Sequence, residues 1–143
     1  MFYGVSNKLL ATLQSIQNCA AKIVVGGLKY DHISPILREL HWLPVHKRIV
    51  FKLCVMTFKC LNGLTPQYLA DKCIRVSTLV QSYRLRSIEH NVLVVPLTKL
   101  KIGSRDFAVS DPTLWNALPK YLCRPGLSLL GFRNELKTYL YSE

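Results

Sequence analysis

Five cysteines (Cys19, Cys54, Cys60, Cys73 and Cys123) and four histidines are the residues best suited to hold a metal, and their spacing argues against it. Zinc sites draw on close pairs such as C-x2–4-C and H-x3–5-H; only His41 and His46 are spaced that way, with no cysteine pair near them. Cys54 and Cys60 fall on different faces of a helix and read as core thiols. Nucleophilic catalysis needs a Ser or Cys held by a His and oriented by an acid, and neither a G-x-S-x-G elbow nor a family cysteine signature occurs. Two-metal phosphoryl transfer needs converging carboxylates, whereas the eight acids are scattered singly. Gly26-Gly27 lacks the residues that would make it a phosphate loop and reads as a helix stop. His41 and Trp42 sit in a bend between prolines, where packing a helix corner is the commoner use. The expectation is a chain with no catalytic residue, no cofactor and no metal.

What remains is positive charge. Nineteen Lys and Arg against eight Asp and Glu give a formal +11, the footprint of a partner that carries phosphates, either nucleic acid or an anionic membrane surface. The candidate nucleic-acid-binding residues are Lys47, Arg48, Lys52 and Lys59, then Tyr83 with Arg84 and Arg86, then Lys99, Lys101 and Arg105. Lys120 and Arg124 add a further pair. Their interleaving with Tyr83, Phe107, Trp115 and Tyr121 is compatible with phosphate contacts plus base stacking. A solvated basic surface over an aromatic core is the plainer reading, and it suits Trp115 and Phe107, since Leu114 and Leu118 flank the tryptophan at helical spacing. Tyr83 and its two arginines fit both readings.

The elements that must position these residues are mostly helices. Leu9, Leu13, Ile16, Ala20 and Ile23 recur at helical steps and predict a helix over 8–25. Ser34-Pro35 reads as a cap followed by a first-turn proline, opening a short helix through Ile36, Leu37 and Leu40. Pro44 opens the next, with Val45, Ile49, Leu53, Met56 and Cys60 on one face, basic residues on the other, and Gly63 after its last turn. Thr65-Pro66 predicts a fourth near Tyr68 and Leu69. Between Ser77 and Arg105 the period is lost, and the β-branched run over 91–95, closed by Pro96, predicts a strand or extended segment. Asp111-Pro112 predicts a cap-and-proline start for a helix holding Leu114, Trp115 and Leu118. Ser128 caps a last helix with Leu129, Phe132, Leu136 and Leu140 inward and Arg133 and Lys137 outward. The expected fold is mainly α: a single domain over 1–143, a compact bundle of about five or six short helices, helical over 8–73 and 111–141 with an extended middle over 77–105.

Half the residues are apolar, and a chain of 143 residues can bury a real core, so neither disorder nor a disulfide-stapled fold is expected. The odd, widely spaced cysteines suit reduced thiols. The first residues do not read as a signal peptide, and the most apolar run, Ile49 to Phe58, is about half of what a membrane span needs and is broken by Lys52. The expected place is intracellular, nucleus or cytoplasm, with no membrane span.

Several phrases then carry a likeness, in order: Leu13-Gln14-Ser15-Ile16-Gln17-Asn18, Asp31-His32-Ile33-Ser34-Pro35-Ile36-Leu37, Leu40-His41-Trp42-Leu43-Pro44-Val45, Lys59-Cys60-Leu61-Asn62-Gly63-Leu64-Thr65-Pro66, Leu114-Trp115-Asn116-Ala117-Leu118-Pro119, and Phe132-Arg133 with Leu136-Lys137-Thr138-Tyr139-Leu140. From about Leu9 to Leu140 the chain resembles the region downstream of the polymerase domain in LINE-type, Jockey-superclade non-LTR retrotransposon reverse transcriptases. The resemblance implies a tail of a polyprotein that also carries an endonuclease and an RNA-directed DNA polymerase, a tail that helps engage template RNA or target DNA. It implies two partners, RNA or DNA and the upstream polymerase domain. Met1 stands just upstream of the first predicted helix, as expected if a degraded element or a short reading frame is translated from an internal methionine. The family's catalytic Tyr-x-Asp-Asp has no counterpart in this sequence, so no catalytic residue carries over and the chain is not expected to be an enzyme.

Overall fold

Residues 3–79, 91–98, 103 and 106–142 are described by a computed structural model. The fold is mainly helical: α1 (Asn7–Val25), α2 (Ile33–Glu39), α3 (Val45–Leu61), α4 (Gln67–Ala70), α5 (Val76–Leu79), α6 (Phe107–Ala117), a 3-10 helix (Lys120–Cys123) and α7 (Leu129–Ser142). Local signals set many of these ends. Pro44 caps α3, and Gly63, at φ 67°, turns the chain out of it, with the Leu64 N–H closing on the Lys59 carbonyl at 2.9 Å. The Ser128 hydroxyl accepts from the Gly131 N–H at 3.0 Å, as an N-cap does. Pro66 caps α4.

Three starts differ from the sequence reading: α4 begins at Gln67 with Pro66, not Thr65, at its cap, and α2 and α6 begin earlier than expected. The helix expected from Ser34 begins at Ile33 with His32 at its cap, so Pro35 lies within the first turn, where no N–H is needed. The larger shift is in α6. It begins at Phe107 with Asp106 at the cap, and Asp111-Pro112 lies inside it. Asp111 is fully buried: its Oδ2 lies 3.1 Å from the Thr57 hydroxyl and its Oδ1 3.4 Å from that of Ser110. Burial against α3 overrides the local preference of Asp-Pro for a helix start, and Pro112 forgoes one backbone bond.

The main core lies between α3, α6, the 3-10 helix and α7. Phe58 stacks on Phe132 with ring centroids 4.4 Å apart, and Trp115 tilts against Phe132 at 5.7 Å, with Leu93, Leu122, Leu136 and Leu140 around them. Burial of this kind contributes roughly 1.5–3 kcal/mol per large apolar side chain. The segment over 91–95 is extended, but among the described residues it forms only an isolated antiparallel bridge, Leu93 with Arg75, and no strand. The Asn116 amide substitutes for a neighbouring strand: its Oδ1 accepts from the Leu93 N–H at 2.9 Å and its Nδ2 donates to the Leu93 carbonyl at 2.8 Å. The helical turn α5 falls inside the stretch expected to be extended.

A second, smaller core of Ala21, Ile36 and Leu37 joins α1 to α2, with Trp42 packed against it. α1 is then tied to the start of α3 by two glutamines. Gln17 Nε2 donates to the Leu43 carbonyl at 2.9 Å, and Gln14 Oε1 accepts from the Val45 N–H at 2.8 Å, on either side of Pro44. This face of α1 buries Gln17 and Ala21. The apolar stripe read from the sequence is only partly covered: Leu13 and Ala20 are half-buried, while Leu9, Ile16 and Ile23 are exposed, Ile23 by 80%.

Candidate nucleic-acid interface

α2 ends in a turn that sets the geometry of the site. The Trp42 N–H closes on the Leu37 carbonyl at 2.8 Å and the His41 N–H on that of Arg38 at 3.0 Å, a Schellman arrangement whose left-handed position is taken by His41, at φ 53°. Glycine suits that position best, so a histidine there carries a strain of order 1 kcal/mol. The turn leaves His41 exposed and packs Trp42 against the small core between α1 and α2.

Across the turn, Arg48 and Phe51 from α3 and Arg133, Asn134 and Lys137 from α7 complete a cleft with His41, Trp42 and Leu43, of about 310 Å³. None of the residues lining it is acidic. Three basic residues therefore line one opening together with Trp42 and Phe51, the combination that suits a phosphodiester backbone and a stacked base; the Lys137 ammonium lies over the Tyr141 ring, 6.0 Å from its centroid. Trp42 and Arg48 also line the neighbouring cleft, an open apolar groove of about 460 Å³ between α1 and α3, walled by Leu13, Ile16, Ala20, Val45 and Ile49.

The expected binding residues separate into groups. Arg48 lines both the basic cleft and the apolar groove, and Lys52 lines the apolar groove. Lys59 is half-buried in the last turn of α3, away from both. Lys47 is not a residue of the solvated face: it is half-buried, and its ammonium donates to the Leu140 carbonyl at 2.8 Å, at the C-terminal end of α7. A charge-assisted bond at a helix C-terminus stabilises more than a surface lysine does. Lys47→Ala is accordingly expected to lower stability by about 1–2 kcal/mol in urea unfolding; a loss below about 0.5 kcal/mol would return Lys47 to the solvated face. Tyr83, Arg84, Arg86, Lys99, Lys101 and Arg105 lie outside the described residues. Arg133, Lys137, His41 and Trp42 were not among the expected binding residues. The only local sign for the first two was their outward position on the last helix, because the fold alone brings them to Arg48.

The thiols offer little chemistry. Burial pushes Cys54 and Cys73 up to about 12 and Cys123 up to about 11, so each stays protonated, a poor nucleophile and a poor metal ligand. Among the described residues no group of three or more His, Cys, Asp or Glu could hold a metal ion, and no helix is long and apolar enough to cross a membrane. No family model, curated protein or solved structure matches the chain. The functional reading therefore rests on the cleft, the charge and the ordered phrases.

Proposed function

We propose that this chain is a non-catalytic nucleic-acid-binding module from the tail of a LINE-type reverse transcriptase polyprotein, one that holds RNA or DNA for a polymerase encoded elsewhere in the parent element. The observation that carries the reading is the acid-free cleft that Arg48, Arg133 and Lys137 line together with Trp42 and Phe51. The excess of positive charge over the whole chain supports it through long-range attraction.

The reading makes a quantitative claim about salt. Three cations on a single strand should give a slope of log affinity against log salt near about −2, and removing one of them should reduce that slope by about one unit of neutralised phosphate. Fluorescence anisotropy with a labelled single-stranded RNA, for the parent chain and for Arg133→Ala and Lys137→Ala, measures both. Binding that is absent, or that has the same salt slope in all three proteins, overturns the assignment of the cleft.

A second reading is favoured by a separate observation. The apolar stripe of α1 is exposed beside an open groove, as expected of a subdomain that docks on another part of its parent protein. The two readings share Trp42 and Arg48, which line both clefts, and otherwise use different residues.

A further inference from the structure

The docking reading leaves open what occupies the groove between α1 and α3, and the groove's own chemistry narrows the choice. Leu13, Ile16 and Ile49 wall it and Trp42 lies at its edge, while Arg48 and Lys52 supply its only charges. Neither α1 nor α3 contains a single Asp or Glu, whereas Lys8 and Lys22 lie on α1 and Lys47, Arg48, Lys52 and Lys59 on α3. A second copy of this chain, itself at a formal +11, would bring like charges against that rim. Both walls are helices whose backbone groups are already bonded internally, so an extended peptide would find no edge to pair with and would bury unpaired N–H and C=O groups. The occupant must bring a backbone that is satisfied within itself. The groove's wall on α1 runs from Leu13 to Ala20, about 10 Å or some two turns, and the exposed Leu9 and Ile23 extend the same stripe by about one turn at either end, to about 21 Å in all.

We propose that this groove receives an amphipathic helix of a partner protein or partner domain, about four turns long, with apolar anchors at i, i+4, i+7 and i+11 seated against Leu13, Ile16 and Ile49 and with acidic residues flanking them to meet Arg48 and Lys52. The inference rests on the docking reading and adds to it the form and the sign of charge of the partner. It makes the groove selective: apolar burial supplies affinity, and the basic rim rejects helices whose flanks are basic.

The test uses the full chain and two synthetic 18-residue helical peptides with the same leucine anchors, one flanked by glutamates and one by lysines, each labelled and titrated by anisotropy. The glutamate peptide is expected to bind at least tenfold more tightly than the lysine peptide. Lys52→Glu should reduce that preference about tenfold, and Ile16→Asp should abolish binding of both peptides. Ile16 is largely exposed, so the aspartate variant is expected to keep its far-ultraviolet circular dichroism and its RNA binding, which separates a lost groove from a lost fold. Equal binding of the two peptides overturns the acidic partner while leaving a docking groove; binding of neither overturns both. A concentration-dependent dimer abolished by Ile16→Asp assigns the groove to a second copy, and displacement of the glutamate peptide by RNA in the parent and in Arg133→Ala alike assigns it to nucleic acid. Either result overturns the proposal.

Discussion

Trp115→Ala is expected to lower the unfolding free energy by about 4 kcal/mol, a large part of the roughly 5–15 kcal/mol that holds a domain of ordinary stability. The ring is 3% exposed, wedged against Phe132, and its Nε1 donates to the Asn91 carbonyl at 3.0 Å. Truncation removes the apolar contact, leaves a cavity beside the Phe58–Phe132 stack, and deprives the Asn91 carbonyl of its donor. That carbonyl belongs to a residue at φ 51°, so the bond also helps to hold Asn91 in the left-handed region at the start of the extended segment. Trp115→Phe keeps most of the ring and loses the donor, and should cost about 1–2 kcal/mol. Urea unfolding of the three proteins checks the order. Equal midpoints for the parent and Trp115→Ala would mean that the ring is exposed and faces a partner.

The second large effect is one of pH. Burial pushes the Asp111 carboxyl up to about 7, against the pull of its contacts with Thr57 and Ser110. The hydrogen-bond geometry favours the same protonation state. The Thr57 hydroxyl lies 3.1 Å from both the Leu53 carbonyl and Asp111 Oδ2, and it has one proton to give. If that proton goes to the carbonyl, the contact with Asp111 is a hydrogen bond only when the acid is protonated and donates. In the unfolded chain the same carboxyl ionises near 3.8. A folded pKa above the unfolded one means that the native state holds the proton more tightly. The stability contributed by Asp111 is therefore fully present below about pH 4 and is lost as pH rises through about 7. At about 1.4 kcal/mol for each pH unit between the two values, the loss is of the order of 4 kcal/mol. Asp111→Asn keeps the shape, cannot ionise and can donate to Thr57. The variant should match the parent below about pH 4, exceed it increasingly from about pH 4 to 7 and keep a constant lead above that, as followed by urea unfolding at each pH. Parallel pH profiles for the two proteins would mean that Asp111 is hydrated.

These two residues also mark how far the sequence could be read. Trp115 was legible as a core residue because its apolar neighbours share one helical face, a local fact. Asp111 was not, since Asp-Pro is a good local start for a helix and only the approach of α3, with Thr57 far away in sequence, makes it an interior pair. The start of α3, its end at Gly63 and the start of α7 were legible for the same local reason as Trp115: proline, glycine and serine act through their own backbone or hydroxyl. α1 shows the converse. Its period correctly indicated a helix, but periodicity does not say which face meets the protein, and two glutamine amides outweighed the apolar stripe in choosing it. In the basic cleft, Arg48 was identified from its place in a run of positive charge. Arg133 and Lys137 join it only through the packing of α7 on α3, and no spacing in the sequence records that.

The glutamine pair has a mechanical consequence. Apolar packing has no preferred direction and lets a helix roll or slide by small amounts, whereas a hydrogen bond holds its partners to a narrow range of lengths and angles. Gln14 and Gln17, one turn apart, grip the backbone on either side of Pro44 and so act as two pins on one shaft. α1 cannot rotate to bury its own stripe without breaking both. The chain is thereby denied the easiest way of hiding an adhesive surface, and a nascent copy stays sticky until something else covers Ile16 and Ile23.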